Sequence, residues 1–228
     1  MVVTARGPRT VRELAAELGV RGEAICSNGA LVVDLEGGGV RRLRTIETEV
    51  ALELVHALRE RLPGIAFAVE RERLAHEPGF DADWPLPADT RVDDALALLD
   101  EPAAKLILRH SDHEVEVVAS LVHELAGGDV HVHVAGDWSV EVTAPGVNKA
   151  SALAELCEEL GVAAAEVVAF GDHLNDLPML TWAGRAVAVA NAHPDVVDVA
   201  DEVTASNDAD GVALVLERLA SAQSPGAA

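Results

Sequence analysis

From residue 149 to the C-terminus, short apolar runs alternate with helix-forming stretches, and this alternation limits the possible folds more than any other feature of the sequence. Residues 150–160 read as a helix that Gly161 stops. Residues 167–170 form an apolar, buried strand that breaks into a loop over 171–175. A helix over 176–183, a strand over 186–189 and helices over 194–200 and 211–219 follow. The first 30 residues share this texture. A strand at 2–3 leads to a helix around 10–18, with Val11, Leu14, Ala15 and Leu18 at helical spacing, and then to a strand at 24–26. Strands alternating with helices at both ends imply a parallel sheet covered by helices.

The middle of the chain reads differently. Residues 31–34 and 40–43 flank Gly37-Gly38-Gly39, a hairpin signature. Residues 47–62 are amphipathic, 65–69 extended, 78–87 irregular, 92–99 helical, 104–108 extended and 114–125 helical. Two strands, 130–134 and 139–143, close the segment. The predicted fold is therefore α/β: a discontinuous Rossmann-like parallel-sheet domain over 1–30 and 145–228, with an inserted α+β domain over 31–144.

Charge removes several function classes. Among 228 residues, 39 Asp and Glu stand against 17 Lys and Arg, a net charge of −22. Phosphate-backbone binding and docking on anionic lipid both need clustered Lys and Arg, so neither nucleic acid nor membrane is an expected partner. A small anionic substrate in one local positive pocket stays compatible. Half the residues are hydrophobic but only 3% are aromatic, so the core must be built from Ala, Val and Leu. No apolar run reaches the roughly 18 residues of a membrane span, and MVVTARGPRT lacks the plan of a signal peptide. Cys26 and Cys157 have no C-x-x-C spacing, so neither a disulfide framework nor a thiolate metal site is indicated. A cytoplasmic protein, monomer or homodimer, is expected.

The chemistry concentrates at strand ends. Ligands of open α/β sheets collect beyond the carboxyl ends of the strands. Val167-Val168-Ala169-Phe170 stops on Gly171-Asp172, and Asn175 and Asp176 follow at a helix start. Hard oxygen donors at such a place suit Mg²⁺; alternatively Asp176 caps its helix and Asp172 is a turn residue. Val2-Val3-Thr4-Ala5-Arg6 delivers a hydroxyl and a guanidinium, and Gly146-Val147-Asn148-Lys149 delivers one of only two lysines. A hydroxyl and an ammonium to hold phosphoryl oxygens, with a cation to neutralise developing charge, is what phosphoryl transfer needs.

With Ile25-Cys26-Ser27-Asn28-Gly29-Ala30 and Asn207-Asp208-Ala209-Asp210-Gly211-Val212, these stretches resemble the haloacid dehalogenase (HAD) superfamily, in the order in which that family carries them. The closest pattern is that of Cof-like phosphatases with a type-IIB cap. The resemblance implies an Mg²⁺-dependent phosphatase of small phosphorylated metabolites such as sugar phosphates. It implies that Thr4 binds the phosphoryl group, Lys149 offsets its charge, Asn175 contacts phosphate, Asp172 ligates Mg²⁺ and Asp176 supports or binds it. Ala5 stands where the family usually has Gly; its N–H still serves. Arg6 reaches substrate or pairs with a carboxylate, and Asn28 with Gly29 faces the site or forms a hinge turn.

One departure is large. The family's nucleophile is the first Asp of an Asp-x-Asp-Gly-Thr motif that ends a strand ahead of the Thr-Gly-Arg element. Here only Met1-Val2-Val3 stand before Thr4, so a strand-plus-helix unit on the order of 30 residues is expected to be absent. Asp81-Ala82-Asp83 lacks both the strand and the Gly-Thr turn, and Asp208-Ala209-Asp210-Gly211 fits the letters but follows a turn. A start placed too far downstream, or a shortened chain, is one expected origin; natural loss of activity is another. Either way the first strand's two neighbours should show unpaired edges, and this chain should be inactive. The alternative function is a non-catalytic HAD-like module that binds a phosphometabolite or a protein partner. His131 with His133, and His110 with His113, lack a third ligand at metal spacing, and Trp84 and Trp138 read as packing residues.

Overall fold

The computed structural model describes residues 1–80, 85–136 and 138–223, in two compact units, Met1–Leu153 and Ala154–Ala228. Asp81, Ala82, Asp83 and Trp84 therefore lie outside the described residues. No helix among the described residues is long and apolar enough to cross a membrane.

The first unit opens with a β-α-β element: β1 (Val2–Val3), α1 (Pro8–Leu18) and β2 (Glu23–Cys26), with β1 and β2 parallel and Val3 opposite Ile25. Pro8 starts the helix and Gly19, at φ 67°, ends it in a left-handed cap. Val11 and Ala15 are buried, whereas Leu14 and Leu18 of the expected apolar face are exposed. The hairpin of β3 (Leu31–Asp34) and β4 (Val40–Leu43) forms as the glycine run predicts, and it extends the same sheet in the order β1-β2-β3-β4. Among the described residues β1 thus has one hydrogen-bonded neighbour, β2.

The rest of the unit builds a six-stranded sheet in the order β7-β6-β5-β8-β10-β9. Its strands are β5 (Ala66–Glu70), β6 (Leu74–His76), β7 (Arg91–Val92), β8 (Lys105–Arg109), β9 (His131–Ala135) and β10 (Ser139–Thr143). Its helices are α2 (Thr48–Arg61), α3 (Ala95–Leu98) and α4 (Val115–Ala126). Arg91 and Val92 pair with β6, which leaves α3 shorter than the helix expected over 92–99. Side chains alternate across a strand. Phe67, Val69, Leu106, Leu108, Val140 and Val142 join Leu54, Val55, Leu58, Val118 and Val122 of α2 and α4 in the main core. The opposite face carries a small apolar cluster of Ala68, Phe80 and Ile107, with Trp138 packed on it. It also carries Glu70, Lys105, Glu141, Thr143 and His133, all buried.

The second unit holds β11 (Val168–Gly171), α6 (Leu177–Trp182), β12 (Arg185–Ala188), α7 (Pro194–Val199), β13 (Glu202–Val203) and α8 (Gly211–Gln223). Helix α5 (Lys149–Leu160) spans the division between the units. The three strands form a parallel sheet, β11-β12-β13, tied by Arg185 and Arg218 to the Glu202 carboxylate. The sequence suggests that the strand at 167–170 is buried, but in β11 only Ala169 is. The cause is position: among the described residues β11 is an edge strand, with β12 on one side only. Residues Asn207–Ala209 form a 3-10 turn, and Asp210, at φ 56°, leads into α8. Asp208-Ala209-Asp210-Gly211 is thus a helix entry, as the turn-forming residues before it suggest.

His133 is buried on the same face as Lys105 and Glu141. Its Nε2 lies 2.9 Å from Thr143 Oγ1, and that hydroxyl's single proton goes to the Val147 carbonyl at 2.8 Å. Nε2–H is therefore the donor. Burial first, then the charges at His131, Lys105 and Lys149, push its pKa down to about 3. A base with a depressed folded pKa contributes stability above its unfolded value near 6.5 and loses it as pH falls toward about 3. Between pH 7.5 and 5.5 the parent should lose about 1.4 kcal/mol from this group. Urea unfolding of His133→Gln should lack that component; equal losses in parent and variant would contradict the assignment.

Candidate active site

The first unit places Thr4, Ala5, Arg6, Asn28 and Lys149 around one turn. Ser27, Asn28 and Gly29 follow β2 with φ of 51°, 56° and 103°, three successive left-handed residues. Such positions cost on the order of 1–3 kcal/mol each for non-glycine residues and persist only where surrounding bonds hold them. Here Asn28 N–H donates to the Thr4 carbonyl at 3.1 Å and Ser27 N–H to the Arg6 carbonyl at 3.0 Å. Thr4 N–H in turn donates to the Ile25 carbonyl at 2.9 Å, so the Thr4–Arg6 loop is bound on both sides. Within it, Arg6 N–H donates to Thr4 Oγ1 at 3.1 Å. The hydroxyl accepts that bond and keeps its own proton to donate elsewhere.

Gly29 provides the other contact. A Cβ there would lie 2.3 Å from the Asn148 carbonyl oxygen, so only glycine lets the 147–149 loop approach. Asn148 caps α5 reciprocally with Ser151: Asn148 Oδ1 accepts from Ser151 N–H at 2.9 Å, and Ser151 Oγ accepts from Asn148 N–H at 3.0 Å. That cap makes Lys149 the first residue of α5, and it is only 6% exposed. Arg6 is exposed and has no carboxylate partner among the described residues.

Beneath the turn lies a charged cluster that the sequence reading missed. Lys105, 2% exposed, donates to Glu141 Oε1 at 2.7 Å and to the Ala5 carbonyl at 2.8 Å, and it forms an ion pair with Glu70 Oε2 at 3.0 Å. Asn28 Nδ2 donates to the other Glu141 oxygen. Burial disfavours the lysine's charge, but the two carboxylates outweigh it and hold the ammonium protonated. Burial lifts the Glu70 carboxyl above its ordinary range despite Lys105. Burial, then Glu70, pushes the Cys26 thiol up to about 12, which leaves it inert. The available signal was Lys105 itself: one of two lysines, inside the apolar run Ala104–Leu108.

In the second unit, β11 ends at Gly171 and delivers Asp172. A Cβ on Gly171 would lie 2.7 Å from Asp176 Cβ, so glycine is what lets the loop fold back. Asp176 is buried, and its Oδ2 accepts N–H from Asp172 at 3.1 Å and from His173 at 3.2 Å. Asn175 is half-buried in the 3-10 turn Leu174–Asp176. The Asp172 carboxylate is exposed, with no hydrogen bond or ion pair to the described residues. No group of three His, Cys, Asp or Glu among the described residues makes a closed metal cage. Two carboxylates on one loop instead fit a hard cation that keeps waters and takes phosphate oxygens.

A family model described as haloacid dehalogenase-like hydrolase matches residues 1–216. The phosphoglycolate phosphatase of Methanothermobacter thermautotrophicus is 41% identical over 104 residues, 45% of this chain and 47% of that protein. Against this and other curated relatives, the matched stretch spans less than half of the relative's length. Among solved structures, a haloacid dehalogenase-like hydrolase from Bacteroides thetaiotaomicron is 26% identical with a TM-score of 0.77, covering 95% of this chain and 85% of that one. The HAD subclass IIB sugar phosphatase BT4131 shares the fold at 21% identity, with a TM-score of 0.80 and cover of 96% and 84%.

The turn at 27–29 makes a direct test of this geometry. Gly29→Ala should destabilise the protein by about 2 kcal/mol or more, through left-handed strain plus the clash with Asn148. Urea unfolding reads it; a change within about 0.5 kcal/mol, the range of surface substitutions, would contradict the close approach.

Proposed function

The chain belongs to the haloacid dehalogenase-like hydrolases, and from that premise we propose that its chemistry is Mg²⁺-dependent hydrolysis of phosphate monoesters of small metabolites such as sugar phosphates. The observation that carries the reading is Thr4, whose hydroxyl is bonded so that its proton is left for an acceptor. In this reading the Thr4 hydroxyl and the Ala5 and Arg6 loop hold phosphoryl oxygens. Lys149 offsets their charge, and Asn28 and Asn175 complete the polar lining. Asp172, with Asp176 behind it, holds Mg²⁺, which supplies the positive charge that the phosphoryl group needs as bonds change. The proposed division is a core over 1–30 and 145–228 and a substrate-selecting cap over 31–144, of which the β3-β4 hairpin pairs with β2 of the first sheet. The names of the phosphoglycolate phosphatase and the sugar phosphatase support a small phosphorylated substrate.

The family route transfers the phosphoryl group to an aspartate and then to water. Among the described residues none stands in for that aspartate: Asp208 and Asp210 belong to a helix entry. The polypeptide of these residues should therefore bind phosphate without forming an acyl-phosphate. Purified as it stands, it is expected to hydrolyse no sugar phosphate or other phosphate monoester in Mg²⁺. Robust Mg²⁺-dependent turnover, abolished by Lys149→Ala or Asp172→Asn, would overturn this part of the proposal.

A further inference from the structure

Burying a charged triad is costly, and apolar residues of similar size often serve stability as well or better. The six-stranded sheet nonetheless places Glu70, Lys105 and Glu141 on the inner rows of β5, β8 and β10, with Glu70 directly opposite Lys105. An ammonium has three protons to donate. One goes to the Glu141 carboxylate, and Glu70 Oε2 is an ion-pair partner at 3.0 Å. Another proton goes to a backbone carbonyl, that of Ala5, 100 residues away in sequence.

That carbonyl belongs to the peptide whose N–H is Arg6, the group bonded to Thr4 Oγ1. A trans peptide is rigid and planar, so holding its C=O at one edge fixes where its N–H points at the other. The carboxylates reach the same loop. Asn28, whose N–H holds the Thr4 carbonyl, gives its side-chain amide to Glu141. Glu70 lies so close to Gly7 that a Cβ there would meet Oε1 at 2.1 Å. All three members of the triad therefore touch the segment that carries Thr4 or the turn that binds it.

We propose that Lys105 is a positioning residue for phosphate binding: its ammonium holds the Ala5 carbonyl, which aims Arg6 N–H at Thr4 Oγ1 and leaves the Thr4 hydroxyl proton for a phosphate oxygen. This rests on the reading of Thr4 as a phosphate ligand. It adds that β8 of the six-stranded sheet sets the geometry of the loop through one buried cation. Lys105 touches no substrate; it acts through the Ala5–Arg6 peptide.

The test uses the full chain, with inorganic phosphate and Mg²⁺ as probes. Lys105→Met alone would leave two uncompensated carboxylates, so it is combined with Glu70→Gln and Glu141→Gln. Calorimetry should show phosphate affinity reduced roughly 10- to 100-fold, the worth of one hydrogen bond to a charged group. Thr4→Val should cost a similar factor in the parent and almost nothing in the triple variant, a non-additivity that general loosening does not produce. Amide hydrogen exchange at Arg6 should accelerate in the triple variant. If that variant does not fold, Lys105→Arg keeps a cation between the carboxylates and should still accelerate Arg6 exchange by displacing the donor. Unchanged phosphate affinity, or an equal Thr4→Val cost in both backgrounds, overturns the proposal. If the parent binds no phosphate, the phosphate reading fails. The Arg6 amide then decides alone, and unchanged exchange there overturns the positioning role.

Discussion

Three consecutive left-handed residues at 27–29 are the constraint on which the rest of the first unit depends. A tripeptide in that conformation does not persist by itself, and the bonds that hold it are those that order its surroundings. Its backbone binds the Thr4–Arg6 loop, its glycine admits the loop that carries Lys149, and its asparagine joins the buried carboxylate of Glu141. Strain is concentrated in one turn, and three separate segments of chain are ordered by it.

Electrostatics sharpens the same picture. A chain with a net charge of −22 offers an anionic ligand little welcome over most of its surface. Its two lysines are both buried, one holding a loop and one at the start of α5, where the helix dipole adds to its charge. Arg6, exposed and without a carboxylate partner among the described residues, adds a third positive group to the same loop. The acidic excess therefore makes a small number of placed cations more selective.

Much of this was legible in the sequence. The β-α alternation, the Gly37–Gly39 hairpin and the glycine stops at 19 and 161 act locally, so composition and spacing reveal them. Among the described residues β11 is an edge strand, which explains why it is less buried than its apolar run suggests. The Glu70–Lys105–Glu141 cluster was not legible, because it depends on strand register across three chain segments. Leu14 and Leu18 mislead for a related reason: helical spacing shows which residues share a face, not how much of that face finds a partner.

The proposed function requires phosphate binding that depends on Lys149 and responds to a cation through Asp172. Calorimetric titration of inorganic phosphate into this chain, with and without Mg²⁺, reads both requirements. The predicted result is phosphate binding that strengthens with Mg²⁺, is lost in Lys149→Ala, and no longer responds to Mg²⁺ in Asp172→Asn. Phosphate binding that ignores Mg²⁺ and survives both substitutions would contradict it.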